Sequence, residues 1–262
     1  MAKAKKSLGQ NFLTDELILN QILESVNPNK EDKFFEVGSG RGALTKKIVP
    51  HVKSIDSVEI DEDLLPNLRR LESEHSNLTI HRNSVLKMNL GELSKTKRKF
   101  RIIGNLPYNL SSKIMLWTFN HSQNILDIHY MFQKEFGERL VSPPGSKAYG
   151  RLSVLTQYMF ECESLFKILP DSFTPKPSVE SIFIKFLPKP NKTINSSEAK
   201  RLQELTKLMF SKRRKKISTS CKKFLQSNQF IELGINPDSR PESLGLSDFL
   251  SIIKYLSKGD NV

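Results

Sequence analysis

Three glycines and a glutamate have the types and the spacing needed to hold a cofactor. The sequence FFEVGSGRGALT places Gly38, Gly40 and Gly42 between an apolar run and a helix-forming run. Glycines at such a turn let the backbone bend sharply and approach a ligand closely, beside the N-terminus of the following helix. Glu59 ends the next apolar run, where a carboxylate can accept hydrogen bonds from both hydroxyls of an adenosine ribose. This pairing predicts a cofactor that contains adenosine.

The glycine pattern does not identify that cofactor. Gly38-x-Gly40-x-x-Ala43 also satisfies the dinucleotide fingerprint, so a nicotinamide or flavin enzyme remains an alternative. Glu36, just before the first glycine, favours a methyltransferase, because it would repel a phosphate but attract a cationic, phosphate-free ligand. The sequence has no P-loop Gly-Lys-Ser/Thr, which argues against a nucleoside triphosphatase.

The tetrapeptide Asn105-Leu106-Pro107-Tyr108 contains groups suited to methylating the exocyclic amine of an adenine. The lone pair of that amine is delocalised into the ring, so the amine is a poor nucleophile. The side-chain carbonyl of Asn105 and the backbone carbonyl of Leu106 can accept its two hydrogens and favour a tetrahedral nitrogen, while Pro107 restricts the loop. Tyr108 offers a flat face on which the base can stack. Taken alone, the same residues also fit a turn that caps a strand.

The hydrophobic pattern predicts the elements that position these residues. Short apolar runs alternate with helical patterns over the first two-thirds of the chain, which is typical of a doubly wound α/β sheet. The tetrapeptide then follows a central strand, at the edge where such sheets place their chemistry. The predicted strands are residues 33–37, 54–60, 78–82, 100–104 and 125–132, with 165–169 and 181–187 as a closing antiparallel pair.

A change in composition after residue 187 predicts a second domain. Residues 188–196 are polar and proline-bearing, and they indicate a linker between a domain of residues 1–187 and a helical domain of residues 197–262. In the second domain, apolar residues recur at helical spacing, among them Leu202, Leu205 and Met209.

The charge balance indicates a polyanionic partner. The chain has 41 Lys and Arg against 28 Asp and Glu, a net charge of +13. Contacts from such cations to phosphates release counterions and drive binding. Charge alone does not separate a nucleic acid from an anionic membrane surface. Five consecutive cations on a predicted helix are the candidate RNA contacts: Lys212, Arg213, Arg214, Lys215 and Lys216. A flexible N-terminal arm with Lys3, Lys5 and Lys6 is expected to touch phosphate as well.

The remaining composition argues against metal, disulfide and membrane roles. Cys162 and Cys221 form no CxxC pair, and the five histidines show no metal-ligand spacing, so no metal is expected. No apolar run approaches the ~18 residues that span a bilayer, and the N-terminus lacks the apolar region of a signal peptide. We therefore expect a cytoplasmic protein that does not bind membranes.

Four segments together resemble the bacterial small-subunit (16S) ribosomal RNA adenine N6,N6-dimethyltransferase family. The tetrapeptide at 105–108 looks like the Asn/Asp-Pro-Pro-Tyr/Phe motif of amino methyltransferases, in the form typical of this family. KKSLGQNFL (residues 5–13) is similar to its opening motif, FTPKPSVESIFIKFLP (173–188) to its post-catalytic segment, and RPESLGLSDFLSI (240–252) to the end of its helical domain. The resemblance spans nearly the whole chain in the right order.

The resemblance implies a fold, an activity and a set of site residues. The fold is α/β, a Rossmann-like class I methyltransferase sheet with a small all-helical C-terminal domain. The activity is S-adenosylmethionine-dependent dimethylation of two adjacent adenosines in the 3′-terminal loop of 16S rRNA. Catalysis is assigned to Asn105, Leu106, Pro107, Tyr108 and Phe173, the last stacking on the target base. Cofactor binding is assigned to Asn11, Leu13, Gly38, Gly40, Glu59, Ser84 and Asn105, with Ser84 standing where the family has an Asp.

Two other functions remain open at this point. One is a 23S rRNA adenine methyltransferase of the macrolide-resistance type, although the RPESLGLSDF segment favours the small-subunit type. The other is a ribosome-assembly factor whose catalysis is dispensable. In the main interpretation the partner is the RNA of the 30S subunit, and the protein is expected to be a monomer.

Overall fold

The computed structural model describes residues 4–5, 8–94 and 98–259, and its contacts divide the chain into two compact units. The first unit comprises Met1–Gly137 and Cys162–Pro188, and the second comprises Glu138–Glu161 and Lys189–Val262. The first unit therefore ends close to the predicted boundary at residue 187. Residues 138–161, which the sequence analysis placed in the first domain, belong instead with the C-terminal helices.

A seven-stranded sheet forms the centre of the first unit. Its order is β4-β3-β2-β5-β6-β9-β7, with β4, β3, β2, β5 and β6 parallel and β9 antiparallel to β6. Phe34, Phe35 and Val37 of β2 are all buried, as expected for a parallel strand covered on both faces. All seven predicted strands are present. The strands are β1 Phe12–Leu13, β2 Lys33–Val37, β3 Ser54–Glu59, β4 Leu78–Arg82, β5 Phe100–Asn105, β6 Ile125–Gln133, β7 Phe160–Ile168, β8 Phe173–Thr174 and β9 Ser181–Pro188.

The helices of the chain begin and end at recognisable signals. The side chain of Asp15 accepts hydrogen bonds from the first amides of α1, and Asn27 ends that helix with a positive φ of 45°. The helix α2 begins directly after the glycine loop. The helices are α1 Glu16–Val26, α2 Ala43–Ile48, α3 Leu65–Glu74, α4 Leu90–Leu93, α5 Ser111–Asn120, α6 Lys134–Val141, α7 Arg151–Met159, α8 Ser197–Ser211, α9 Ile217–Cys221, α10 Ser227–Glu232 and α11 Leu246–Gly259.

The second unit is built on α7, α8 and α11, which pack against one another. Leu202, Leu205 and Met209 are buried in α8, as their spacing predicted, and Val154 and Leu155 are buried in α7. In the first unit, the short strand β1 pairs antiparallel with β8, which places Leu13 opposite Phe173.

The cationic segment, residues 212–216, is not helical, so that part of the prediction is wrong. The helix α8 ends at Ser211, and α9 begins at Ile217. A continuous helix would bring like charges together at i,i+3 and i,i+4, which is unfavourable. In the observed turn, Arg213 donates from Nε to Glu242 at 2.5 Å, and Lys216 pairs with Asp238 at 2.9 Å.

Candidate active site

A pocket lies in the first unit at the carboxyl ends of the parallel strands β2, β3, β4 and β5. It is lined by most of the predicted catalytic and cofactor-binding residues, although those residues are far apart in the chain. The N-terminal segment 8–12 forms a further part of its lining. The predicted residues in the lining are Asn11, Gly38, Glu59, Ser84, Asn105, Leu106, Pro107 and Tyr108.

The glycine loop needs glycine because its backbone is left-handed at three positions. Gly38, Gly40 and Gly42 have φ values of 74°, 57° and 79°. The amide of Gly38 donates to the carbonyl of Val58 at 3.0 Å, which joins the loop to the end of β3. A Cβ at Gly40 would lie 3.2 Å from the ring of Phe12, so the N-terminal segment packs directly on the loop.

Glu59 binds backbone amides as well as lining the pocket. Its Oε2 accepts from the amide of Gly40 at 2.8 Å, and its Oε1 accepts from the amides of Ile60 and Asp61, each at 2.8 Å. Glu59 is therefore a support for the glycine loop, a role that the sequence did not indicate. A carboxylate oxygen can accept two hydrogen bonds, so Oε2 can still accept one from a ligand.

Glu36 lies beneath the loop rather than facing a ligand. It is buried, and its Oε2 accepts from the hydroxyls of Thr45 and Ser57, each at 2.6 Å. Burial raises the pKa of Glu36 above its ordinary value, and the two hydroxyls oppose that shift only in part. Glu36 therefore does not face a cationic ligand as predicted, and its carboxyl instead joins β2 to α2 and β3.

The amide of Asn105 is held in one orientation by the N-terminal segment. Its Nδ2 donates to the backbone carbonyl of Asn11 at 2.8 Å, and its Oδ1 has no protein donor among the described residues. The amide of Leu106 donates to the carbonyl of Met131 at 3.1 Å, whereas the Leu106 carbonyl accepts no backbone hydrogen bond within the described chain. Two neighbouring acceptors are therefore left free at the end of β5.

Gly104 and Ser181, which the sequence pattern did not single out, help to place this tetrapeptide. A Cβ at Gly104 would lie 2.7 Å from the carbonyl of Val37, so β5 can approach β2 this closely only with glycine there. The hydroxyl of Tyr108 lies 2.7 Å from Ser181 Oγ, and burial raises the pKa of the tyrosine. A glycine inside a strand pattern is a signal of close backbone approach and could have been noticed.

Leu13 and Phe173 are not brought to the pocket. Both are buried, at 4% and 3% exposure, and they face each other across the β1–β8 pairing. The ring of Phe173 therefore packs inside the fold beside Leu13, and its stacking on the target base stays a prediction from the family motif. Gly40 is likewise outside the pocket lining, although its amide is bound to Glu59.

Ser84 lines the pocket, two residues after the end of β4. Its amide donates to the side chain of Asn83 at 2.8 Å, and its hydroxyl has no hydrogen-bond partner among the described residues. Asn83 also lines the pocket and was not singled out from the sequence. Both side chains end in groups that can accept a hydrogen bond.

The N-terminal segment is attached to the sheet through Asp61. Lys5 Nζ lies 2.5 Å from Asp61 and 2.7 Å from Asp63, and Gln10 Nε2 donates to Asp61 at 2.7 Å. The hydrogen bonds from both carboxylates raise the pKa of Lys5 to about 12. Lys5 is thus an internal tether here rather than a free phosphate ligand, while Lys3 and Lys6 lie outside the described residues.

The cations of residues 212–216 differ in their surroundings within the second unit. Arg213 and Lys216 are paired, and Arg213 also donates to the carbonyl of Lys147 at 2.7 Å. Lys212, Arg214 and Lys215 are exposed and have no acidic partner in the described part of the chain. Of these five cations, two therefore have an acidic partner and three have none among the described residues.

Within residues 4–5, 8–94 and 98–259, no group of three or more His, Cys, Asp or Glu side chains could hold a metal ion. No helix in those ranges is long and apolar enough to cross a bilayer.

Comparison with known proteins gives consistent matches along the chain. A family model described as ribosomal RNA adenine dimethylase matches residues 1–258. A ribosomal RNA small subunit methyltransferase A from Marinomonas sp. (strain MWYL1) is 37% identical over 256 residues, which is 98% of this chain and 96% of the relative. A protein of the same name from Coxiella burnetii (strain CbuG_Q212) is 38% identical over 253 residues, 97% of this chain and 98% of the relative.

Solved structures support the fold. A dimethyladenosine transferase from Plasmodium falciparum superposes with a TM-score of 0.81 at 22% identity, covering 95% of this chain and 98% of that one. At this identity the likeness shows the fold alone. It confirms the predicted Rossmann-like methyltransferase sheet followed by C-terminal helices.

Proposed function

Because the chain belongs to the ribosomal RNA adenine dimethylase family, we propose that it dimethylates N6 of two adjacent adenosines in the 3′-terminal loop of 16S rRNA. S-adenosylmethionine, the cofactor of this family, supplies the methyl groups. The partner is the RNA of the small ribosomal subunit, and the protein acts as a cytoplasmic monomer.

The observation that carries this proposal is the pair of free acceptors at the end of β5. The bond from Asn105 Nδ2 to Asn11 leaves Oδ1 available, and the adjacent Leu106 carbonyl is available as well. An adenine amine has two hydrogens, so these two acceptors can hold both and leave the nitrogen lone pair facing the methyl donor. Pro107 restricts the loop, and Tyr108 supplies the stacking face.

The cofactor fits the pocket at the ends of β2, β3 and β4. The left-handed glycine loop brings backbone close to the ligand, and Glu59 Oε2 retains one acceptor site for a ribose hydroxyl. Ser84 and Asn83 offer acceptors or donors for the adenine edge, and Asn11 closes the pocket from the N-terminal side. We assign Leu13, Gly40 and Phe173 to supporting these groups rather than to direct contact.

RNA phosphates bind the exposed cations of the second unit. Lys212, Arg214 and Lys215 are free of acidic partners in the described chain, so their charges are available to a polyanion. Arg213 and Lys216 hold the turn between α8 and α9 through Glu242 and Asp238.

Single-turnover methyl transfer on small subunits that lack the modification tests the catalytic assignment. Asn105→Ala removes an acceptor aimed at the reacting amine, and loss of one such positioned group should slow the reaction by ~10²–10³. Asn105→Asp keeps an acceptor but loses the Nδ2 donor to Asn11, so it should also be slow. Asn120→Ala, an exposed position at the end of α5, is the control. A wild-type rate for Asn105→Ala would place the active site elsewhere.

The same variants separate the alternative functions. If the protein is an assembly factor whose catalysis is dispensable, Asn105→Ala should rescue subunit assembly in cells that lack the protein. Mass spectrometry of both ribosomal RNAs decides between substrates, because N6-dimethyladenosine should appear in the small-subunit RNA. Its appearance only in 23S RNA would support the macrolide-resistance type instead.

A further inference from the structure

Ser181 is a buried residue at the start of β9 whose side chain reaches the tyrosine of the pocket. Its Oγ lies 2.7 Å from the hydroxyl of Tyr108, 73 residues away in the chain. Ser181 is 0% exposed, whereas Tyr108 is partly exposed and lines the pocket. The contact therefore connects a fixed point inside the fold to the proposed stacking surface.

The position of Ser181 is set by the sheet rather than by a loop. It is the last partner in the β6–β9 ladder, opposite Gln133. The next residue along from Gln133, Lys134, donates its amide to the carbonyl of Glu180 at 2.9 Å and pairs with the Glu180 carboxylate. A Cβ at Gly137 would overlap the side chain of Ile182, so α6 also passes close over this end of β9. The backbone at Ser181 is thus held from several sides, which fixes the point from which its hydroxyl reaches Tyr108.

Tyr108, in contrast, lies in the loop between β5 and α5, where the backbone alone does not fix the plane of its ring. A side chain that is free to rotate must lose that freedom when a base stacks on it, which weakens binding. We propose that Ser181 is a positioning residue, whose hydrogen bond to the Tyr108 hydroxyl fixes the ring plane on which the target adenine stacks. This inference rests on the proposed function.

The competing explanation is that the Ser181–Tyr108 hydrogen bond only stabilises the fold. The chain contains a second pair of hydroxyls that serves as a control for this explanation. Thr118 Oγ1 lies 3.1 Å from the hydroxyl of Tyr130, in the same unit. Both residues are 0% exposed, and neither lines the pocket. Loss of this second hydroxyl pair should affect stability without affecting capture of the base.

A double-mutant cycle on full-length protein tests the inference. Ser181→Ala and Tyr108→Phe should each raise the half-saturating concentration of unmodified small subunits by about 2- to 10-fold, the equivalent of one net hydrogen bond. Combining them should cost no more than either alone, because both remove the same contact. Affinity for S-adenosylmethionine should stay unchanged. Thr118→Val and Tyr130→Phe should lower the melting temperature but leave half-saturation at the wild-type value.

Fluorescence of 2-aminopurine placed at the target position gives a second readout. Stacking on Tyr108 should quench it in the wild type, and Ser181→Ala should quench it less. Additive losses in the cycle would overturn the inference, and so would wild-type half-saturation and quenching in Ser181→Ala. In either case, methylation of small-subunit RNA by the wild-type protein would still uphold the proposed function. A wild-type protein that does not methylate small-subunit RNA would overturn both.

Discussion

Replacing Glu59 by Gln should weaken cofactor binding and loosen the glycine loop at the same time. The carboxylate accepts three backbone amides, at Gly40, Ile60 and Asp61. A glutamine of the same shape has only one acceptor oxygen. If that oxygen stays with Ile60 and Asp61, its NH₂ group faces the Gly40 amide, donor against donor.

The magnitude follows from the contacts that are lost. A hydrogen bond to a charged group contributes about 1.5–3 kcal/mol. Loss of the Gly40 contact should therefore lower the free energy of unfolding by that amount even without cofactor. The bond to a ribose hydroxyl is lost as well, so the Kd for S-adenosylmethionine should rise by about 10- to 100-fold.

Calorimetry with S-adenosylmethionine and urea unfolding of the cofactor-free protein measure the two effects separately. Glu62→Gln is the control, because Glu62 is an exposed neighbour whose carboxylate pairs with Arg82 rather than with the loop. Unchanged affinity and unchanged unfolding in Glu59→Gln would refute the reasoning. Weaker binding with unchanged unfolding would refute only the role of Glu59 in holding the loop.

Three further changes have distinct expected results. Phe173→Ala should lower the free energy of unfolding, measured in urea, by ~3–5 kcal/mol. Wild-type stability together with weaker capture of the target base would instead assign stacking to Phe173. Neutralising Lys212, Arg214 and Lys215 should reduce the slope of the logarithm of RNA affinity against the logarithm of salt concentration by ~0.7–0.9 per lost contact. An unchanged slope would mean that these three cations face solvent and do not contact RNA. Burial lowers the pKa of His129 to about 4 from 6.5. The unfolded state therefore binds more protons between these values, and stability should fall as pH drops through this window, by about 2 kcal/mol at pH 5. His129→Leu should remove that part of the pH dependence, and an identical pH profile would contradict the assignment.

The sheet and most of the pocket could be predicted because they depend on local patterns. Apolar runs set the strands, and a glycine loop after one strand and a polar motif after another must meet at the same edge of a parallel sheet. Glu59 and Asn105 were found in this way, and both line the pocket.

The features that were missed depend on contacts between distant residues. Nothing near Phe173 in the chain indicates that Leu13 covers it. The bonds from Asn105 to Asn11, and from Lys5 and Gln10 to Asp61, join segments that no periodicity connects. The run of cations at 212–216 suggested one helical RNA surface because composition does not show which charges have acidic partners.

The second unit is formed from two separate segments of the chain, so its parts leave the ribosome at different times during synthesis. The apolar face of α7, with Val154, Leu155 and Tyr158, leaves the ribosome well before α8 and α11, against which it packs. Domains fold as units during translation, and exposed apolar surface favours aggregation in the meantime. A fragment ending at residue 187 would keep α7 without either partner, so truncation at the compositional boundary should give an aggregation-prone product. A better truncation would also replace residues 138–161 with a short linker.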